Sequence, residues 1–170
     1  YLNNHSSCIF RTSHSFKINH EDKLYKGLKI IKKKIVSEKD FENIIVSHNG
    51  YQNRYGYIHE RSIKFIKKEK IFLGMDSLIK NKEANNISYG IRFHIYPGIK
   101  IVKTQNFQSI LLSLKNGEGW KFSCNNKEVL IEKGIYLGNK NKVTENENIY
   151  IPGMTNGENQ IIEWSFEKIS

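Results

Sequence analysis

Apolar and polar residues alternate along several segments of the chain. Ile91, Phe93 and Ile95 are each followed by a polar residue or a tyrosine, and the same period of two recurs in residues 120–124 and 162–166. A period of two places successive side chains on opposite faces of an extended strand. These segments are therefore predicted to be β-strands with one face in a core.

Short β-branched runs bounded by Gly, Asn or Pro predict further strands. Asn-Gly pairs, which favour tight turns, punctuate the chain. Apolar residues do not keep a helical i, i+3, i+4, i+7 spacing long enough to predict a helix. Many short strands separated by turns indicate an antiparallel all-β sandwich or barrel. The runs span residues 44–46, 71–73, 99–102, 110–114, 129–131 and 149–151, and the Asn-Gly pairs stand at 49–50, 116–117 and 156–157.

Length and composition narrow the class of protein. At ~150 residues per domain, 170 residues predict one domain over 1–170. Aromatic residues make up 12% of the chain, which argues against disorder. Two cysteines are too few for a disulfide scaffold. No stretch approaches the ~18 apolar residues that a membrane span needs, so no such span is expected.

The net charge of +10 favours polyanionic partners. Lysine supplies most of it, whereas base readout and bidentate phosphate binding favour arginine, so a dedicated nucleic-acid reader is disfavoured. The basic run at 29–34 is interpreted as a solvated face or a mobile loop. Charge alone does not choose among nucleic acid, anionic membrane and acidic polysaccharide.

Local motifs for catalysis or metal binding are absent from the sequence. The six histidines form no H-x-H or H-x-x-x-H pair, so spacing alone defines no metal site. There is no glycine-rich phosphate loop, no G-x-S-x-G elbow, and no cysteine beside a base. The ordinary role for a single histidine here is a hydrogen-bonded structural residue at a strand end.

An aromatic and basic cluster surrounds residues 51–61. Tyr51, Tyr55 and Tyr57 lie close in sequence to Arg54 and Arg61. Such a cluster suits sugar stacking and carboxylate pairing, or the binding of single-stranded nucleic acid. A pair of strands with one solvent-exposed face would give the same pattern of aromatic and basic residues without binding a ligand.

Six ordered segments resemble landmarks of the heparinase II/III-like family. Their order and spacing run through nearly the whole chain, and the version seen here is similar to alphaproteobacterial members. In those members the second segment usually reads His-Asp-Gly-Tyr, whereas this chain has Asn49. The segments are RTSHS at 11–15, SHNGY at 47–51, YGYIHER at 55–61, IRFHIYPG at 91–98, NGEGWKF at 116–122 and QIIEWSF at 160–166.

The resemblance implies a parent protein with two parts. An N-terminal α/α toroid would precede a supersandwich-like antiparallel β-sandwich, and residues 1–170 would be that C-terminal sandwich without the toroid. Family enzymes are polysaccharide lyases that cleave uronate-containing polymers by β-elimination, in the periplasm or outside the cell. Their catalytic Tyr and Asn lie in the toroid, so no catalytic residue is expected here and the fragment alone should be inactive. The implied partners are the toroid and an acidic polysaccharide.

The resemblance also implies roles for individual residues. His14 matches a zinc ligand of metal-binding family members. In those members the zinc site also includes one His of an H-x-H motif and an Asp, which would both lie upstream of Tyr1. Zinc is therefore expected in the full-length parent and not in this fragment, because one imidazole does not hold it. His48, Tyr51, His59 and Arg61 are expected to line a substrate cleft.

Two other functions remain open from the sequence. A non-catalytic sandwich that binds carbohydrate or a protein partner would share the fold but would lack an upstream toroid. A basic β-barrel that binds single-stranded nucleic acid would lose affinity steeply as salt rises.

Overall fold

A computed structural model describes residues 8–10, 29–84, 86–105, 109–125, 127–139 and 142–170. This part of the chain is almost entirely β-structure, and its one four-residue helix is far too short to cross a membrane. The elements are β1 (Cys8–Phe10), β2 (Ile30–Ser37), β3 (Phe41–His48), α1 (Gln52–Tyr55), β4 (Tyr57–Ile66), β5 (Ile71–Lys80), β6 (Ser88–His94), β7 (Lys100–Lys103), β8 (Ser109–Ser113), β9 (Gly119–Cys124), β10 (Leu130–Asn139), β11 (Lys142–Met154) and β12 (Gln160–Lys168).

The described strands form two open sheets. One has four strands in the order β1-β6-β11-β10, and the other has eight in the order β2-β3-β4-β5-β12-β9-β8-β7. Neighbouring strands are antiparallel throughout. The prediction of an antiparallel β-sandwich is confirmed, and the barrel alternative does not describe this arrangement.

The core lies between the two sheets and is built by the alternating residues. Ile91 and Phe122 are fully buried, and Trp164 is 6% exposed. Phe93 of β6 packs edge-on against Trp164 of β12, with ring centroids 4.7 Å apart. The period of two therefore identified the residues that join the sheets.

The basic run at 29–34 enters the edge strand β2 instead of a loop. Its side chains are exposed, so the interpretation as a solvated face is correct. Exposed lysines on an edge strand oppose pairing with another chain.

Register brings distant polar residues together near one end of the large sheet. His48 of β3 pairs with His59 of β4, and Arg61 of β4 pairs with Asp76 of β5. Residues directly opposite each other in neighbouring strands project from the same face. The polar cluster described next follows from this register.

Candidate functional site

Two histidines and one aspartate form a linear chain of hydrogen bonds. His48 Nε2 lies 3.2 Å from His59 Nδ1, and His59 Nε2 lies 2.7 Å from Asp76 Oδ1. His59 is 4% exposed and Asp76 is fully buried, whereas His48 is only partly buried at the end of β3. The chain therefore leads from the edge of the sheet into its interior.

The direction of these hydrogen bonds is determined at both ends. The backbone N–H of Gly50 donates to His48 Nδ1 over 3.2 Å, so that nitrogen carries no proton. His48 Nε2–H then donates to His59 Nδ1, and His59 Nε2–H donates to the Asp76 carboxylate. Both imidazoles are neutral in this arrangement, and each has a single tautomer.

The pKa of His48 is consistent with a neutral ring. Burial of the imidazole, and secondarily the neighbouring His59, lower that pKa from 6.5 to about 4. A cation is disfavoured at this position because it would lose hydration and face another imidazole. His48 therefore stays uncharged at neutral pH.

Asp76 is the centre of the buried cluster. Besides the hydrogen bond from His59, its carboxylate accepts two from Arg61, at 2.8 and 2.6 Å, and one from Trp164 Nε1 at 2.8 Å. Burial by itself raises the pKa of Asp76, but the hydrogen bond from His59 and the Arg61 guanidinium outweigh it and hold that pKa below its usual value. Asp76 is thus an ionised carboxylate that is fully paired.

Arg61 is held by more than its ion pair. Its guanidinium carbon lies 5.3 Å from the Phe93 ring centroid and 5.4 Å from that of Trp164. Both sheets therefore contribute an aromatic ring to the position of this cation. In this arrangement the guanidinium pairs with Asp76 and contacts an aromatic ring of each sheet.

Tyr51 closes the outer end of the cluster. Its ring packs edge-on against His48, with centroids 5.2 Å apart, and lies 6.3 Å from the ring of His59. Tyr51 directly precedes α1, in the connection between β3 and β4. The part of the cluster that faces solvent is therefore an aromatic surface formed by Tyr51 and His48, both partly buried.

The structure brings together all four residues that the sequence nominated for substrate binding, namely His48, Tyr51, His59 and Arg61. That they bind substrate remains a prediction. Sequence reasoning missed Asp76, which binds His59 and Arg61, and Trp164, which donates a hydrogen bond to Asp76. The available signal was a single carboxylate in the middle of the apolar segment at 71–79.

The described residues do not supply a metal centre. Within them no group of three or more His, Cys, Asp or Glu side chains could hold a metal ion. The facing nitrogens of His48 and His59 already share a proton. His14 lies outside the described residues, so its assignment as a zinc ligand remains a prediction.

Comparison with known protein families shows which family the chain belongs to. Residues 1–165 match the family described as heparinase II/III-like, C-terminal. The chain belongs to this family. A search of curated protein sequences finds no match.

Several solved structures share the fold of this chain although their sequences are only 10–16% identical to it. The heparan sulfate lyase HepC from Pedobacter heparinus superposes with a TM-score of 0.70 at 16% identity, over 84% of this chain and 22% of that protein. A structure of heparinase III gives 0.63 at 13% identity, over 84% and 21%. The α-galactosidase AgaB from Geobacillus stearothermophilus gives 0.52 at 10% identity, over 84% and 28%. The chain spans about a fifth of the length of the heparinases, and these likenesses show a shared β-sandwich fold.

Proposed function

We propose that this chain is the C-terminal sandwich of a polysaccharide lyase that cleaves a uronate-containing polymer by β-elimination. The observation that carries the proposal is the family match over residues 1–165. The much greater length of the similar heparinases is consistent with an N-terminal toroid as the intramolecular partner. The net charge of +10 suits an acidic polysaccharide.

The proposed reaction needs a base and an acid. The base removes the proton beside the uronate carboxylate, and the acid protonates the leaving glycosidic oxygen. Negative charge builds on the carboxylate in the transition state, so groups that neutralise it lower the barrier. We place these groups in the toroid and assign none of them to residues 1–170.

In this proposal the sandwich shapes one wall of the cleft. Tyr51 and His48 offer an aromatic surface against which a sugar ring can pack. The position of His48 is fixed through His59 and Asp76, because the hydrogen bonds leave each imidazole one orientation. Tyr51 packs edge-on against His48. Arg61 contributes by holding Asp76.

We further propose that His14 supplies one zinc ligand in the full-length protein, and that the protein acts in the periplasm or outside the cell. Zinc analysis of the purified full-length protein and its His14→Ala variant tests the first point. Equal zinc content in the two would refute it. Fractionation of cells that express the full-length protein tests the second point, and recovery in the cytoplasm would refute it.

The lyase proposal is tested with the full-length protein on heparan sulfate, other glycosaminoglycans and alginate. The readout is the ultraviolet absorbance of the unsaturated uronate product. Product from at least one polymer is expected, and Tyr51→Ala should raise KM more than it lowers kcat, since it removes a binding surface. Asn53→Ala is the matched control, because Asn53 is an exposed and uncharged residue of the helix that follows Tyr51.

Absence of product from every uronate polymer would overturn the lyase proposal. Retained polysaccharide binding in the same preparations would then favour a non-catalytic carbohydrate-binding sandwich.

A further inference from the structure

The face of the eight-stranded sheet that carries His48 continues onto the edge strand β2. His48 lies opposite Ile30 of β2, and Val46 lies opposite Lys33. On its other side Val46 lies opposite Arg61 of β4. Residues directly opposite each other project from the same face, and so do residues two apart in one strand. Lys33 therefore shares a face with His48 and Arg61.

The two lysines that flank Lys33 project from the other face. Lys32 lies opposite Ser47, and its Nζ lies 2.8 Å from Glu60 Oε2. Because Glu60 of β4 lies opposite Ser47 as well, this ion pair crosses the face that is turned away from the four-stranded sheet. Lys34, two residues from Lys32, projects from the same side as Lys32. Of these three consecutive lysines, Lys33 alone projects toward the candidate site.

The described strands of the four-stranded sheet leave this face open over β2 and β3. Ile35 of β2 is 60% exposed, and Ile44, which lies opposite it in β3, is 46% exposed. Lys33 is also exposed, and Val46 is partly buried. These four residues form an open ledge that adjoins His48, since Val46 and His48 are two residues apart on the same face.

Lys33 forms no ion pair with a carboxylate among the described residues. The other charged residues that β2, β3 and β4 carry on this face are paired. Arg61 is paired with Asp76, and Glu42, toward the opposite end of β3, has its Oε1 3.3 Å from Lys67 Nζ. The ledge therefore presents one exposed positive charge that no described carboxylate neutralises.

The position of this charge suits an acidic sugar polymer. Lys33 and His48 are diagonal neighbours on adjacent strands, and such positions lie about 7–8 Å apart. The lysine side chain is long and flexible, so its ammonium group can reach an anion bound beside His48 and Tyr51. Ile35 and Ile44 add an apolar surface on which the C–H groups of a sugar can lie.

We propose that Lys33 is a specificity-determining residue, which pairs with a uronate carboxylate of a polymer that lies across Tyr51 and His48 and along the ledge. The inference rests on the proposed function, because it takes the polymer from there. It adds a requirement for charge at one position of that surface. Lys32 and Lys34 contribute only to the general positive field of the protein, because they lie on the other face.

The test measures binding of the full-length protein to end-labelled hexasaccharides of hyaluronan, heparosan and alginate, and to the same hexasaccharides with their carboxylates reduced to alcohols. Fluorescence anisotropy gives Kd at about 0.15 M salt, where a Debye length of about 8 Å screens charges on the other face. Lys33→Gln should raise Kd about three- to five-fold for at least one carboxylated hexasaccharide. The reduced counterpart should bind the unsubstituted protein more weakly, and Lys33→Gln should not weaken it further.

Lys34→Gln is the matched control, because it removes the same charge from the adjacent position of the same strand. Its Kd should stay within about 1.5-fold of that of the unsubstituted protein. Lys33→Arg keeps a cation and should retain the affinity. Both lysines are exposed, so these variants should fold, and thermal melting checks it. For a polymer that is cleaved, Lys33→Gln should raise KM and leave kcat within about two-fold.

Equal losses in Lys33→Gln and Lys34→Gln would overturn the inference, since net charge would then explain the effect. An unchanged Kd in Lys33→Gln, an equal loss with the reduced hexasaccharides, or no binding of any hexasaccharide would overturn it as well. The lyase assay is read separately. Product formation with an unaffected Lys33→Gln variant leaves the lyase proposal standing, whereas a Kd that depends on Lys33 without any product retains the carboxylate contact and removes the lyase activity.

Discussion

Trp164 Nε1 donates a hydrogen bond of 2.8 Å to Asp76 Oδ2, although the two residues are 88 positions apart in sequence. The bond joins β5 to β12, neighbours in the middle of the eight-stranded sheet. Because Asp76 also holds His59 and Arg61, the outer surface at His48 and Tyr51 depends on the packing of a C-terminal tryptophan. The hydrogen bond from Trp164 therefore links the candidate site directly to the hydrophobic core.

Replacing Asp76 should destabilise the fold strongly. Asp76→Ala leaves the Arg61 charge and the Trp164 N–H without their buried partner, and we expect a loss of about 3–5 kcal/mol in the free energy of unfolding. Urea denaturation measures it. The exposed Asp40→Ala is the matched control and should change the free energy by less than about 0.5 kcal/mol. Equal effects of the two substitutions would contradict the central role of Asp76.

Gly74 is required by the close approach of Trp164. A Cβ at position 74 would lie 2.2 Å from carbons of the indole ring, which is sandwiched within the core. Gly74→Ala should cost at least about 1–3 kcal/mol, because the ring must leave its site. Leu73→Ala, at an exposed neighbouring position, is the control.

A second measurement on Gly74 isolates the steric cause. In the double variant Gly74→Ala/Trp164→Leu the loss should be smaller than the sum of the two single losses, since the clash is present only with the indole. Strict additivity would show that another contact limits position 74.

Acid should destabilise the protein through His48. Its pKa is about 4 when folded and 6.5 ordinarily, so between these values the unfolded chain binds a proton that the folded chain does not. The free energy of unfolding therefore falls as pH drops from about 6.5 to about 4. Asp76, whose pKa is lowered, stays ionised over this range.

Thermal melting at several pH values checks this dependence. In His48→Gln the fall in melting temperature over the same range should be shallower, since the titrating group has been removed. An unchanged slope would assign the acid sensitivity to other groups.

Cys124 should resist alkylation in the folded protein. Burial raises the pKa of this thiol to about 11, so the reactive thiolate is scarce at neutral pH. Mass spectrometry after iodoacetamide treatment should show the Cys124 peptide unmodified in buffer and modified in urea. Rapid labelling under native conditions would contradict the buried position.

The amino-acid sequence by itself determined the strands, because the period of two is a local property of an extended chain. Ile91, Phe93 and Ile95 were assignable to one face without knowledge of what they pack against. The ordered segments also indicated the family, since motifs are read residue by residue. His48, Tyr51, His59 and Arg61 could be nominated in the same way.

Only the tertiary structure decided what those residues do together. Which strands pair, and in which register, depends on burial summed over the whole sheet, so it placed Asp76 and Trp164 beneath His59 and Arg61. The pairing of Arg61 with a buried carboxylate and the neutral state of His48 both follow from contacts between residues that are not neighbours in sequence. Distances of a few ångströms between such residues are set by packing, and no local pattern encodes them.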